Sequence, residues 1–373
     1  MQYMLRKYNM KILFIRTAKN IGGAEILTRD ISESLNTKQF EIYNLQSGYN
    51  LKTKGIKYIE GKTLFEINSI KSYIIFYLLY IPYLKNYKII VDKIISEKIN
   101  VVVLQSFSDI IILPKIIKKK NPKIKIIIFI HIFWGSFRFF KYSFDLKKRL
   151  YTVFSNYTDK IISVSNNTTT DIMKFFNNKE KINTIFAFSP VKEVKKIKHK
   201  NFNISFISRI ETDKGIVELI KSANILKKKR NLKFIIAGTG SYKDDLIEYI
   251  KNNKLENKVK YVGFVNDVRT ILKKTDLLIL PSKMEGIPLI FIESLKNSIP
   301  VLSTNVGGTK EIIINKKNGL FINKDEKDIA KKILLLYRNK NLMNDLKKNA
   351  KPSIEKFEKK YVIKQWKKLL SSV

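Results

Sequence analysis

Short, unbroken apolar runs alternate with stretches of helical periodicity along most of this 373-residue chain. The runs Lys11–Ile15 (KILFI), Val101–Leu104, Lys125–Ile130 and Ile161–Val164 come first. Asn203–Ile207, Lys233–Ala237, Val259–Val262, Leu277–Leu280 and Pro300–Ser303 follow. A strand that is apolar at every position must be covered on both faces. Helices between such strands supply the cover, which is the pattern of a parallel, doubly wound sheet. The rhythm breaks once, at the polar and cationic stretch Val191–Asn201 (VKEVKKIKHKN), which reads as an exposed linker. The spacing therefore predicts an α/β chain of two doubly wound, Rossmann-like domains, 1–190 and 191–355, with an inter-domain cleft. A last helical segment, 356–373, closes the chain. In open sheets of this kind ligands bind beyond the carboxyl ends of the strands, so functional residues are expected just after strands.

Composition removes several chemistries. There is no Cys, which excludes a disulfide framework, a cysteine nucleophile and a thiolate metal site. Two His exclude a three-histidine zinc site. Apolar residues at 45% are ordinary for a globular chain despite a formal charge of +40. Such a field favours polyanions. However, residues 1–190 carry 31 cations and 13 anions, and residues 191–373 carry 41 and 19. A nucleic-acid surface concentrates its charge on one module. Here 63 Lys and nine Arg are spread evenly. No nucleic-acid partner is expected.

No signal peptide is read at the N-terminus MQYMLRKYNM. The longest apolar runs, Tyr73–Leu84 and Ile124–Trp134, fall short of the roughly 20 residues that span a bilayer. A cytoplasmic protein is expected. Tyr73–Leu84 and Phe137–Phe154 are aromatic and flanked by Lys. They read either as buried helices or as patches that meet an anionic membrane surface from its inner face.

Five groups of residues lie where strands end. Gly22 and Gly23 open a helix after the first strand, so their backbone N–H groups can approach a phosphate. The spacing is not G-x-G-x-x-G, so a nicotinamide or flavin cofactor is not supported. His131 ends the run Ile124–Ile130, where it can hydrogen-bond a sugar hydroxyl or a phosphate, or serve as a satisfied core residue. Arg209 and Lys214 share the loop of SRIETDKG. Two cations on one loop suit a diphosphate, one as a planar fork and one as a point charge.

The sharpest group is Glu285-Gly286-Ile287-Pro288-Leu289-Ile290-Phe291-Ile292-Glu293. Pro288 suits the first turn of a helix. On one continuous helix the two carboxylates would stand about 80° apart. With Glu285 in the loop and Glu293 on the helix, both can face one pocket and accept from vicinal hydroxyls. Finally, Gly238-Thr239-Gly240, Gly263-Phe264-Val265 and Val306-Gly307-Gly308-Thr309 each follow an apolar run, as the turns of a nucleotide pocket would.

Taken in order, GGAE, His131, SRIETDKG, AGTGS, YVGFVNDV, EGIPLIFIE and VGGTKEII resemble the retaining GT-B glycosyltransferases of family four. The match is densest from Ile204 to Leu320. The resemblance implies that Arg209 and Lys214 neutralise the diphosphate of a nucleotide-sugar. Glu293 would hold the ribose hydroxyls and Glu285 the donor sugar, with His131 beside the reacting centre. Gly22 and Gly23 would lie against phosphate. Gly238, Gly240, Phe264, Val265, Gly286, Ile287, Pro288 and Leu289 would line the donor pocket. The last helix, with Trp366, would cross back onto the first domain. Ser208 and Thr309 stand where the family often has Gly and Pro, and neither change removes a charge.

The expected activity is transfer of a hexose from a nucleotide-diphosphate sugar, UDP-linked, to a lipid-linked or cell-surface glycan, without metal or cofactor. Two alternatives stay open. One is an epimerase or phosphorylase of the same fold, and the other is a non-enzymatic protein that binds polyanions or membranes.

Overall fold

A computed structural model describes residues 10–17, 22–47, 56–59, 80–131, 156–176 and 178–373. The segment Phe137–Phe154 and most of Tyr73–Leu84 lie outside these residues. The chain divides into two compact units. One comprises Met1–Ala187 with Lys360–Val373, and the other Phe188–Lys359.

The first unit holds a seven-stranded sheet. In chain order its strands are β1 (Met10–Thr17), β2 (Phe40–Ser47), β3 (Lys57–Tyr58), β4 (Val101–Leu104), β5 (Lys125–Ile130), β6 (Lys160–Ser163) and β7 (Ile182–Thr184). Their spatial order is β3-β2-β1-β4-β5-β6-β7, and every pair is parallel. The two-residue period of a strand sorts the side chains. Leu13, Ile15, Val102, Leu104, Ile126 and Ile128 point to one face, where Tyr87, Ile90 and Ile94 of helix Tyr80–Ser96 cover them. The opposite face presents Phe14 and Phe129 to Trp366, on the last helix Lys359–Ser371. Trp366 is fully buried, with ring centroids 6.3 Å from Phe14 and 5.0 Å from Phe129. The C-terminal segment thus belongs to the first unit's core, although 172 residues of the second unit, Phe188–Lys359, separate it in sequence.

The second unit is a six-stranded parallel sheet of β8 (Phe202–Ile207), β9 (Leu232–Ala237), β10 (Val259–Tyr261), β11 (Leu277–Leu280), β12 (Val301–Ser303) and β13 (Gly319–Phe321). Its order is β10-β9-β8-β11-β12-β13. This is the 3-2-1-4-5-6 order of the doubly wound fold. The strand order reverses between β8 and β11 here, and between β1 and β4 in the first unit. At such a point the connections leave toward opposite faces of the sheet, which opens a crevice outside the strand ends.

The stretch Val191–Asn201 is irregular and mostly exposed, but it is tied down. Val194 N–H donates to Asn297 Oδ1 at 2.7 Å, and the Lys196 ammonium donates to the carbonyls of Leu272 and Thr275. The eight-residue β2, the short edge strands β3, β7 and β13, and the helix Lys340–Ala350 add to the sequence expectation. Among the described residues, no helix is long and apolar enough to cross a membrane.

Candidate functional site

In the second unit, the loops after β8 and β11 meet at the reversal point. The backbone enforces the meeting. Gly215 has φ of +78°, and a Cβ there would lie 2.1 Å from the carbonyl oxygen of Pro281. Only glycine permits that approach without strain. Lys283 N–H donates to Asp213 O at 2.7 Å and stitches the same two loops. As a result Lys214 Nζ lies 2.7 Å from Glu285 Oε1, with both side chains about nine-tenths buried. Ser282 Oγ donates to the same carboxylate oxygen at 2.7 Å. Lys214 Nζ also reaches the Met284 carbonyl at 3.5 Å. An ammonium has three donors, so one N–H of Lys214 is left for another partner.

The loop after β12 closes on Glu285 from the other side. Gly308 N–H donates to Glu285 O at 3.2 Å. Gly307 has φ of +51°, and a Cβ on it would stand 1.9 Å from Glu285 O. The Thr309 hydroxyl binds within its own loop, in contact with the carbonyls of Thr304 and Val306. Gly286, Ile287 and Pro288 carry the chain into helix Leu289–Lys296, and Pro288 stands one residue before it. Glu293 lies on that helix, 8% exposed, and accepts from Ser189 Oγ at 2.7 Å.

Arg209 is placed differently from Lys214. Its side chain is 64% exposed, with its guanidinium 3.7 Å from Asp213. Glu211, two residues on, accepts from both N–H and Oγ of Ser241. Burial works to raise its pKa, but the Ser241 hydrogen bonds and Arg209 hold it below the usual carboxylate value. Gly240 packs over the Ile210 carbonyl and Glu211. Gly238 donates its N–H to Gly263 O at 2.7 Å, so that amide is already used. Phe264 is 63% exposed and Val265 is half-buried. A cavity of about 580 Å³ opens against these strand ends, lined by Ser282, Lys283, Thr304, Asn305 and Val306 among others. A larger one, about 840 Å³, lies along helix Glu326–Arg338 and touches none of the residues singled out from sequence.

The first unit carries a second polar cluster at its own reversal point. Gly22 caps helix Gly23–Leu35, but its N–H donates to Glu25 Oε2 at 2.8 Å. The amide expected to face a phosphate is thus engaged by a side chain; Gly23 stays exposed. Glu25, 4% exposed, is also paired with Arg16, whose Nε lies 2.5 Å from Oε1. His131 follows β5, its ring 4.3 Å from that of Phe129. Its Nε2 lies 2.9 Å from Gln105 Oε1. Burial, and then the nearby Arg16 cation, hold its pKa well below the usual imidazole value. It is therefore neutral at pH 7.

The structure joins Lys214 to Glu285 directly and puts Glu293 in a buried position on its helix. It gives Arg209 and Glu293 other partners, Asp213 and Ser189. Sequence reasoning missed Ser189, Ser282, Glu211 and Ser241 in the second unit, and Gln105, Thr28 and Arg16 in the first. Gln105 and Ser282 each stand within two residues of a buried strand's end, which is a usable signal. Among the described residues, no three His, Asp or Glu side chains gather as metal ligands.

Residues 189–353 match the family model of glycosyl transferases group 1. Among curated relatives, the Campylobacter jejuni GalNAc-alpha-(1->4)-GalNAc-alpha-(1->3)-diNAcBac-PP-undecaprenol alpha-1,4-N-acetyl-D-galactosaminyltransferase is 34% identical over 174 residues. That stretch covers 46% of this chain and 48% of the relative. The Staphylococcus aureus poly(ribitol-phosphate) alpha-N-acetylglucosaminyltransferase is 32% identical over 206 residues, 54% of this chain and 42% of the relative. The chain thus spans about half or less of the length of these relatives. A crystal structure of Anabaena HepE in complex with UDP and glucose superposes with a TM-score of 0.77 at 17% identity. It covers 98% of this chain and 100% of HepE, a likeness of fold. The chain has the two-domain GT-B fold, and residues 189–353 of its second unit match the glycosyl transferases group 1 family.

Proposed function

We propose that this protein is a retaining, metal-independent glycosyltransferase of family four. It moves a hexose from a UDP-sugar to a lipid-linked or polymeric cell-envelope glycan. The observation that carries the reading is the buried Lys214–Glu285 pair at the sheet's reversal point, with Ser282 on the same carboxylate. A buried cation and acid, each with capacity for a further hydrogen bond, suit a ligand that is anionic at one end and hydroxylated at the other. The remaining N–H of Lys214 and the exposed Arg209 take the diphosphate. Glu285 accepts from donor-sugar hydroxyls, Glu293 from the ribose, and the Gly263–Val265 turn lies along the base. His131 hydrogen-bonds a saccharide oxygen.

The chemistry follows from these charges. The bond between the anomeric carbon and the phosphate oxygen breaks, and its electron pair stays on the diphosphate. The acceptor oxygen bonds to the same face of the sugar and its proton passes to the departing phosphate. Cations fixed in place before reaction stabilise the charge that develops. The acceptor class rests on the relatives, one named for a diphospho-undecaprenol glycan and one for poly(ribitol-phosphate). At that acceptor the protein works at the inner face of the cell membrane, its basic surface against anionic lipid.

The test is release of nucleoside diphosphate from a panel of nucleotide-sugars, with and without chelator, using undecaprenyl-diphosphate-linked and polymeric acceptors. Transfer that survives chelation, gives the α-linked product from an α-linked donor and falls in Lys214→Ala and Glu293→Ala supports the reading. Wild-type rates in both variants overturn the site. Conversion of the donor without acceptor would identify an epimerase instead.

A further inference from the structure

Gln105 stands one residue beyond β4, 3% exposed, between Thr28 and His131. Its Oε1 is 2.5 Å from Thr28 Oγ1 and 2.9 Å from His131 Nε2. Thr28 Oγ1 is also 2.8 Å from the Ala24 carbonyl oxygen. A hydroxyl has one proton to donate. With the amide oxygen in that position, Thr28 faces two acceptors and can satisfy one. Meanwhile the amide nitrogen, Nε2, lies buried with no partner among the described residues. The two ends of a glutamine amide have the same shape, and the hydrogen-bond network decides which end points where.

Turning the amide by 180° relieves Thr28 and gives both amide N–H groups an acceptor. The amide oxygen takes the buried position instead, and an unpaired carbonyl is better tolerated there than an unpaired NH₂. Thr28 then donates to Ala24 O. The glutamine NH₂ sits between the Thr28 oxygen and His131 Nε2 and donates one N–H to each. Every short contact in the chain of four groups then holds one proton. A further consequence is fixed by chemistry. A neutral imidazole has one bare nitrogen and one N–H. If Nε2 accepts from Gln105, the proton must sit on Nδ1.

We infer that Gln105 is a positioning residue that locks His131 in the Nδ1–H tautomer, so that this histidine presents a hydrogen-bond donor and not a base to its ligand. The burial of His131 beside Arg16 agrees, since both disfavour a second proton on the ring. The cluster lies at the first unit's topological reversal, with Thr28 on the helix after β1 and Gln105 after β4. The tautomer itself rests on this geometry alone, whereas its use in glycosyl transfer rests on the function proposed above. A donor there suits a saccharide or phosphate oxygen and leaves the acceptor's proton to the departing phosphate.

The chain has two histidines, so His199→Ala leaves a single imidazole to observe. Long-range proton–nitrogen NMR of the full-length, ligand-free His199→Ala protein at pH 7 should show a protonated Nδ1 and a bare Nε2. A protonated Nε2, or both nitrogens protonated, overturns the inference. Adding Gln105→Glu replaces the donor with a carboxylate that only accepts, and the ring should switch to Nε2–H. An unchanged tautomer shows that Gln105 does not set it. If that variant fails to fold, Gln105→Met should give a mixture of both tautomers, and a single unchanged Nδ1–H form again overturns the assignment. In transfer assays Gln105→Glu should lower kcat by about 10–100-fold, the loss typical when the hydrogen-bond partner that orients a metal-bound histidine is removed, with donor KM nearly unchanged. The failures separate. A correct tautomer in a protein that transfers no sugar defeats the proposed function alone. A wrong tautomer in an active enzyme defeats this inference alone.

Discussion

Lys214 and Glu285 lie 71 residues apart in sequence and 2.7 Å apart in space, each with a side chain only about a tenth exposed. Breaking such a pair leaves one buried charge unpaired, at a cost of about 3–5 kcal/mol. Lys214→Met and Glu285→Leu should each lower the urea midpoint accordingly. The double variant should regain most of that loss, because an apolar pair of similar volume fills the site without a stranded charge. Transfer should not return with stability. Loss of the cation alone is expected to cost about 10²–10³ in kcat. A double variant as unstable as the singles would show that the pair is not isolated from its neighbours.

Gly307 meets the backbone of Glu285, not a side chain that can swing aside. A methyl group at 1.9 Å from that carbonyl must push the Glu285 loop away. Strain of this kind at a positive φ costs on the order of 1–3 kcal/mol. Gly307→Ala should therefore lower Tm and raise KM for the donor together. An unchanged KM would mean that the loop after β12 does not hold Glu285 in its working position.

Lys258 is 6% exposed and donates its ammonium protons to the Lys229 carbonyl. Burial, and then the Lys233 charge, pull its pKa from 10.5 to about 8. Between these values the unfolded chain binds a proton that the folded chain does not, so stability from this group rises with pH. Below about pH 8 the cost of burying the charge is present in full. The difference in urea midpoint between wild type and Lys258→Met should shift in favour of wild type from about pH 8 to about pH 10. A flat difference would show that the ammonium is solvated in the folded state.

Trp366 fills the first unit's sheet face between Phe14 and Phe129. Trp366→Ala should cost about 3–5 kcal/mol. Removal of the chain from residue 360 onward should expose the same apolar face and unfold the first unit. Circular dichroism melts of both variants check this. A truncated protein that melts like wild type would show that the last helix is dispensable to that core.

Much of the fold could be read from one dimension. The central strands β4, β5, β9 and β11 are apolar at nearly every position, and such runs fit only a sheet covered on both faces. The peripheral strands were not legible for the same reason. Phe40–Ser47 alternates with polar residues, and Lys57–Tyr58 is two residues long. The Glu285–Glu293 spacing and the strand-end glycines marked the second unit's site, because close backbone contact and short loops leave a compositional trace.

Sequence alone fixed which residue types are available, and where strands must end: a chain without Cys, with two His, and with its carboxylates and cations placed just after apolar runs. It did not fix the pairing. That Glu285 faces Lys214, that Glu293 rests on Ser189, and that Gln105 stands between Thr28 and His131 all depend on which loops the strand order brings together. Strand order is set by packing over the whole sheet, a long-range balance that leaves no local mark on the residues it joins.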